Sequence, residues 1–378
     1  DRFNRNSGTW ETYNGRSVFS EEALITLISE KIGDSDYPEV KAVLERSSER
    51  HSSDIGILSS TMFGNIVNTG RQYEAMLDDK LSDLTERSQN KDYSVFSDPY
   101  LSTVVLTKGS DNLLGNLIRM SVDLPAGESF NIRYAAGMLD FYSRISRQLP
   151  DQTSRFSSLL SVTETSIKPS IRVIADKLFI VDEDGTADIF LSLKTGLLLR
   201  SLSGNEEGGN TAALGRELIN SALSLSDDKG FLPMTVSESP DGGLITEGGT
   251  APEKVYPLLS DNTYYPSEDY FIAETGEKIS VINQADNFNI EKTGYGYKLS
   301  FDFPAGQIHT FAVRNMKPFA QMNLLGYIWN ADSRFLQYFS GWWYDRANET
   351  LYIKIRHRAG TEEILIYTER PLPEPQEP

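Results

Sequence analysis

The sequence predicts an α+β protein in two parts, an N-terminal α/α-toroid-like helical domain followed by a C-terminal antiparallel β-sandwich. Two observations lead to this prediction. Upstream of about residue 299 most apolar residues recur at helical spacing, whereas downstream they alternate with polar residues. Residues 341–357 are also rich in aromatic and β-branched side chains, which favour strands. We place the helical domain at residues 1–255, the β domain at 256–370 and a proline-rich tail at 371–378.

The helical domain is predicted from apolar periodicity and from signals at helix ends. The first helix covers residues 21–33, where Ser20 is the expected N-cap and Gly33 ends the helix. Leucines on one face of two segments within residues 188–233 predict an αα-hairpin, turned by a glycine- and acid-rich loop. Such hairpins in succession indicate an α/α-toroid or an irregular helical array, because the sequence has no fixed repeat. Further helices are expected at 37–50, 63–87, 112–120, 130–148 and 154–162.

The β domain is predicted from strict alternation. Residues 237–250 are rich in glycine and acids with little periodicity, which predicts a loop or a lid. Residues 252–270 carry prolines and tyrosines and are interpreted as a connection between the domains. Beyond them, residues 298–303 and 351–356 alternate apolar with polar side chains. This pattern, with turns at 345–348 and at 359–361, predicts roughly four to seven antiparallel strands in a small sandwich.

Composition excludes several classes of function. Lys and Arg number 36 against 54 Asp and Glu, so the formal net charge is −18, which repels nucleic-acid backbones and anionic lipids. No apolar run is long enough to cross a bilayer, so we expect no transmembrane segment. The absence of cysteine excludes disulfides and thiolate chemistry, and it favours an oxidising extracytoplasmic compartment reached with a signal peptide that has been removed.

One candidate for catalysis is a tyrosine–histidine pair. Only three histidines are present, and a structural role is the preferred interpretation for each; His309 keeps the most interest because it begins a strand directly after a turn. Tyr264 and Tyr265 are adjacent and precede a proline, so burying both is difficult. A tyrosine beside a histidine can exchange a proton with the carbon α to a carboxylate. Packing at the domain border is the alternative role of the tyrosines.

Carboxylates supply two further candidates. Asp188 and Glu207 lie on predicted loops, and a glycosidase needs two carboxyl groups roughly 5–10 Å apart; solubility alone also explains acids on loops. Asp182, Asp184 and Asp188 surround Gly185 and offer oxygen ligands of the kind that Ca²⁺ prefers. The remaining positions of a calcium loop are missing, so a plain turn is the alternative, and no other cofactor is expected.

The tryptophans of the β domain are candidates for binding. Trp342 and Trp343 are neighbours on a predicted strand, so their rings point to opposite faces of the sheet. One ring is expected to fill the core, and the other to form a ligand platform, since flat indole faces suit sugar rings. Sealing the two domains together is the alternative role.

The helical hairpin at 188–233 and the block at 341–357 together resemble the α/α-toroid plus β-sandwich architecture of polysaccharide lyases and glycoside hydrolases. This resemblance implies an extracytoplasmic bacterial protein that acts on or binds a polysaccharide or another glycan. In lyases of this kind an asparagine and an arginine accompany the histidine and tyrosine, and neither is assigned here. The alternative is a non-catalytic envelope or surface protein that contacts a protein partner.

Overall fold

The computed structural model describes residues 2–125, 127–182, 184–202, 210–272 and 278–369. Helices and antiparallel sheets are both extensive, so the α+β prediction is confirmed. The helices are α1 (Glu21–Lys31), α2 (Tyr37–Arg50), α3 (Ile57–Ser60), α4 (Ile66–Gln89), α5 (Leu101–Lys108), α6 (Asp111–Val122), α7 (Ile132–Gln148), α8 (Ile189–Leu202), α9 (Asn210–Leu223) and α10 (Pro252–Leu259). Within the described residues, none of these helices is both long and apolar enough to cross a membrane.

The strands fall mostly in the C-terminal third. They are β1 (Phe3–Asn4), β2 (Thr9–Glu11), β3 (Ser17–Val18), β4 (Ile171–Ile174), β5 (Lys177–Ile180), β6 (Ala187–Asp188), β7 (Thr235–Glu238), β8 (Leu244–Glu247), β9 (Ser267–Ile272), β10 (Lys278–Asn283), β11 (Asp286–Thr293), β12 (Gly296–Asp302), β13 (Ile308–Arg314), β14 (Gln321–Leu324), β15 (Tyr327–Ile328), β16 (Gly341–Asp345), β17 (Thr350–Arg356) and β18 (Thr361–Tyr367). The predicted tail at 371–378 and the hairpin loop at 203–209 lie outside the described residues.

The chain divides into two compact units. Unit 1 comprises Asp1–Glu11, Ser17–Met76 and Asp261–Pro378, and unit 2 comprises Thr12–Arg16 and Leu77–Ser260. The second border lies close to the predicted one at residue 255. Unit 1 also contains residues 17–76, which the apolar periodicity places in the helical domain. Local periodicity shows that this segment is helical but not what its apolar face packs against.

Unit 1 is built around two five-stranded antiparallel sheets. Sheet I has the strand order β16-β17-β13-β10-β9, and sheet II has the order β11-β12-β18-β14-β15. One face of each sheet contributes to the same hydrophobic core, which also receives the apolar faces of α1 and α2. Members of this core include Leu24, Leu44, Phe301, Phe311 and Ile353. The predicted alternation in these strands therefore separates a core face from a second face.

The second face of sheet I, here called its outer face, is covered in part by the beginning of α4. Ile66 of α4 packs against Ala312 of β13 and Tyr352 of β17. Gly70 also lies against this face, because a Cβ atom there would overlap the Tyr352 hydroxyl. Strand β13 is consequently buried on both faces, in the manner of a central strand.

Unit 2 contains the predicted αα-hairpin. Helices α8 and α9 pack so closely that a Cβ atom on Gly196 would lie 2.8 Å from the carbonyl oxygen of Gly215. Their apolar residues share a core cluster with the hairpin of β4 and β5, through residues such as Leu193 and Phe179. The hairpin prediction at 188–233 is confirmed for its two helices.

Two segments near the predicted domain border at residue 255 differ from their predictions. The prediction of a loop or lid at 237–250 is wrong, because β7 and β8 form a hairpin in which Thr235 pairs with Glu247. The turn of this hairpin contains Gly242 at φ +81°, a conformation that glycine adopts without strain. The segment 252–270 is also more regular than a simple connection, since it begins with α10 and ends in β9.

Candidate functional site

Within the described residues no hydrogen bond joins His309 to either predicted tyrosine. His309 is completely buried, and both of its ring nitrogens lack a hydrogen-bond partner within the described residues. Phe303 contacts both candidate rings, stacking on His309 at 4.9 Å between ring centroids and meeting Tyr264 edge-on at 5.7 Å. Burial raises the pKa of Tyr265 to about 12, with a further contribution from the charge of Glu22. These groups form part of the core of unit 1 and are not arranged to exchange a proton.

The predicted carboxylates are in different situations. Asp188 begins α8, where Oδ1 accepts a hydrogen bond from the Leu191 N–H at 2.9 Å and Oδ2 accepts one from Arg133 at 2.8 Å. Both of its oxygens are therefore engaged in capping the helix and in an ion pair. Glu207 lies outside the described residues, so its distance from Asp188 is not defined.

The acidic turn at the end of β5 forms a carboxyl pair. The hydrogen bond between Asp182 and Asp184 raises the pKa of Asp182 and lowers the pKa of Asp184. Asp184 Oδ1 also accepts the backbone N–H of Thr186 at 2.9 Å, as in an Asx turn. Among the described residues no three His, Cys, Asp or Glu side chains are placed to hold a metal ion, and the third predicted ligand, Asp188, is paired with Arg133. The geometry is that of an acidic turn in which Asp184 accepts the backbone N–H of Thr186.

The two tryptophans do point to opposite faces of sheet I. Trp342 is 8% exposed, joins the main core, and donates its indole N–H to the carbonyl oxygen of Trp329 at 3.0 Å. Trp343 packs against the outer-face cluster and stacks near Tyr352, with a centroid separation of 6.1 Å. The guanidinium of Arg71 lies 5.1 Å from the centroid of its ring. Trp343 is therefore engaged by protein groups, which favours a packing role over that of a ligand platform.

A buried ion cluster on the outer face was not predicted. Arg314 at the end of β13 donates to Glu74 of α4 at 2.5 Å and to Glu268 of β9, and its guanidinium lies over the ring of Tyr73. Tyr73 in turn donates to Glu268 at 3.0 Å. Arg314 is only 2% exposed, so the cluster joins α4 to sheet I rather than facing a ligand. Residues of three elements distant in sequence form this cluster, and no local sequence pattern indicates that they meet.

An apolar cleft of unit 1 lies beside β17 and is here called the aromatic–arginine cleft. It has a volume of about 520 Å³. Its lining comes from the turn between β14 and β15, the residue after β15, the loop that precedes β16, and the end of β17 with the two residues that follow it. The lining residues are Leu325, Trp329, Tyr338, Phe339, Ser340, Arg356, His357 and Arg358.

Several aromatic rings at this cleft face solvent. Phe339 is 66% exposed and Tyr338 is 43% exposed. The neighbouring strand β15 adds Tyr327 and Ile328, which are 61% and 54% exposed. A concentration of exposed apolar side chains at one place is unusual for a protein surface and marks a binding region.

Two arginines are held against these rings. The Arg356 guanidinium lies 5.3 Å from the centroid of Phe339, and the Arg358 guanidinium lies 5.5 Å from that of Tyr327. Arg356 Nε also donates to the carbonyl oxygen of Gly306 at 3.3 Å. The loop is tied to the strand because the backbone N–H of Arg356 donates to Ser340 Oγ at 3.0 Å. The cleft therefore presents two oriented guanidinium groups beside aromatic faces, in a protein of net charge −18.

Sequence reasoning missed this cleft. The signal was the pair of aromatic-rich segments at 327–329 and 338–339, which fit neither the alternation of the strands nor a helical stripe. Aromatic residues outside a periodic pattern have no predicted core to enter, so they are candidates for exposed binding surfaces.

Comparisons with known proteins give limited likenesses. No protein-family profile and no curated protein matches the chain. An inactive α-1,6-mannanase variant from Salegentibacter sp., solved with α-1,6-mannotriose, is similar at a TM-score of 0.31 and 14% identity, over 42% of this chain and 47% of that chain. A β-arabinofuranosidase of the GH127 group is similar at a TM-score of 0.27 and 11% identity, over 72% and 50%. The chain thus spans about half the length of these two glycoside hydrolases, and TM-scores this low do not establish a shared fold.

Proposed function

We propose that this protein binds carbohydrate through the aromatic–arginine cleft. The observation that carries the proposal is the placement of Phe339, two-thirds exposed to solvent, beneath the guanidinium of Arg356. Leaving such a ring in water forgoes the free energy of covering it, about 25 cal/mol per Å² of apolar surface. A saccharide covers an aromatic face with its C–H groups while its hydroxyls remain available to hydrogen-bond donors.

The chemistry of the lining favours binding over turnover. Arg356 and Arg358 supply planar N–H forks suited to hydroxyl and carboxylate oxygens. The cleft volume of about 520 Å³ lies within the usual range for ligand sites. Among the residues that line it no carboxylate is present, and burial lowers the pKa of His357 to about 4, so its imidazole is neutral near pH 7. The pair of carboxyl groups that glycoside hydrolysis uses is therefore absent from the lining of this cleft.

The test is binding of the wild-type protein and three variants to a glycan array, followed by titration with any glycan that binds. Phe339→Ala and Arg356→Met should each weaken binding about tenfold or more, because a stacked ring or a charged hydrogen bond contributes more than 1 kcal/mol. Tyr13→Ala is the control, since Tyr13 is 52% exposed and belongs to unit 2. Equal binding by wild type and by Phe339→Ala would contradict the assignment of the cleft.

A reducing-end assay on the same glycans separates binding from catalysis. Release of new reducing ends by the wild type would contradict a purely binding role and return attention to Asp188. Release of unsaturated uronides would instead indicate elimination chemistry. Absence of any glycan binding would favour the alternative class, a non-catalytic surface protein that contacts a protein partner through the exposed residues of the cleft.

The proposal extends to architecture and location. We infer that sheets I and II form a β-sandwich, which the core shared between their faces supports. The close pairing of α8 and α9 is consistent with a toroid-like arrangement in unit 2, which stays a prediction. An extracytoplasmic location is supported by the absence of cysteine.

A further inference from the structure

A second cavity of unit 1 lies on the outer face of sheet I. It has a volume of about 310 Å³ and is lined largely by polar groups. Helix α2 supplies Lys41 and Glu45, strand β13 supplies Thr310, and strand β17 supplies Lys354. Three elements therefore line one cavity, and its volume is at the lower end of the range for small-molecule sites.

Two ammonium groups share this cavity. Lys41 Nζ lies 3.9 Å from Glu45 Oε1, beyond normal hydrogen-bond length, and its side chain is only 18% exposed. Lys354 Nζ donates to the carbonyl oxygen of Leu336 at 2.6 Å. Burial lowers the pKa of both lysines, and the positive charge of Lys41 lowers that of Lys354 further. The charge of Lys41 thus destabilises the ammonium of Lys354, and an anion between the two would relieve this repulsion.

The acidic groups at this cavity limit the ligand charge that the cavity can accommodate. Glu45 and Glu49 also line it, and both are exposed residues of α2. With two lysines and two glutamates the lining has no excess positive charge to balance a dianion, so a monoanion placed next to the lysines is the better match. The hydroxyls of Thr310 and Ser60 are among the remaining polar groups of the lining.

We propose that this lysine cavity is a binding site for a small organic carboxylate, whose oxygens lie between Lys41 and Lys354. The site is separate from the aromatic–arginine cleft and does not depend on carbohydrate binding. A carboxylate displaces the long contact between Lys41 and Glu45, because it approaches closely enough for a charge-assisted hydrogen bond.

Lactate and lactamide form the matched probes, since they differ mainly in charge. At constant ionic strength, lactate should raise the melting temperature of the full chain saturably, because a ligand that binds only the folded state stabilises it. Lactamide should produce no saturable rise, and inorganic phosphate should produce a smaller rise than lactate. An equal response to lactamide, or a larger response to phosphate, would overturn the proposal.

Single-residue variants test whether lactate binds in the lysine cavity. Lys41→Met and Lys354→Met should each raise the half-saturating lactate concentration about tenfold or more, the usual result of removing a charged hydrogen bond. Lys317→Met is the control, because Lys317 is exposed and paired with Glu349 at 2.8 Å. Unchanged saturation in the two cavity variants would refute the site. If either fails to fold, Lys354→Arg keeps the charge and should retain the response to lactate.

Discussion

The pair of buried histidines in unit 1 makes its stability sensitive to acid. His309 and His357 lie with ring centroids 5.7 Å apart among phenylalanine rings, and none of their ring nitrogens has a hydrogen-bond partner within the described residues. Burial lowers the pKa of His309 well below its usual value and lowers the pKa of His357 to about 4. Neither imidazole can take up a proton without placing an unpaired charge in the core.

The direction in which stability changes with pH follows from the lowered pKa values of the two histidines. In the unfolded chain a histidine has a pKa of about 6.5, so as pH falls the unfolded state binds protons before the folded state does. The stabilisation is therefore fully present above about pH 6.5 and is lost as pH falls toward the folded pKa. A shift from 6.5 to about 4 in His357 corresponds to at most about 3 kcal/mol, with a slope of up to about 1.4 kcal/mol per pH unit for each histidine.

The measurement is the free energy of unfolding in urea at several pH values between about 7.5 and about 5. His357→Phe keeps a ring in the cluster and removes the titrating group, so the loss of stability on acidification should shrink by about 1 kcal/mol per pH unit. His51→Gln is the control, because the His51 side chain is 27% exposed. If His357→Phe and wild type lose stability in parallel over this range, the protonation argument is refuted.

Two further predictions concern packing and buried charge. Arg314→Met leaves two buried carboxylates without their cation and should lower the free energy of unfolding by about 3–5 kcal/mol, measured in urea, whereas no change would mean that the cluster is not buried in solution. Gly196→Ala places a methyl group against the Gly215 carbonyl and should cost about 1–3 kcal/mol by the same measurement. Gly115→Ala, in a helix with open space beside it, is the matched control and should be neutral or stabilising.

Local signals predicted the elements well because they act within a few residues. Ser20 accepts a hydrogen bond from the backbone N–H of Ala23, as the expected N-cap of α1, and α2 covers the predicted residues 37–50. Alternation placed residues 351–355 in a strand with Leu351, Ile353 and Ile355 facing the core. These predictions depend only on backbone geometry and on side-chain period.

The site could not be predicted in the same way, because it depends on which surfaces meet. The sequence does not show that α2 packs on sheet I, so Lys41 was not associated with Lys354, more than three hundred positions away. The same limit explains His309, whose parity placed it inward but gave no indication that aromatic rings would surround it. A residue becomes part of a site only through tertiary contacts. The periodicity of the sequence does not show which surfaces make those contacts.

Strand β17 shows how one alternating sequence separates stability from binding. Its odd-numbered residues, such as Ile353, belong to the core shared with sheet II, so substitution there would act on the whole of unit 1. Its even-numbered residues pass from buried Tyr352 to half-buried Lys354 and then to exposed Arg356. Successive members of this row lie about 7 Å apart, two residues along a strand. Successive even-numbered residues of β17 therefore reach two different sites, Lys354 the lysine cavity and Arg356 the aromatic–arginine cleft, and substitution of either leaves the core face of this strand unchanged.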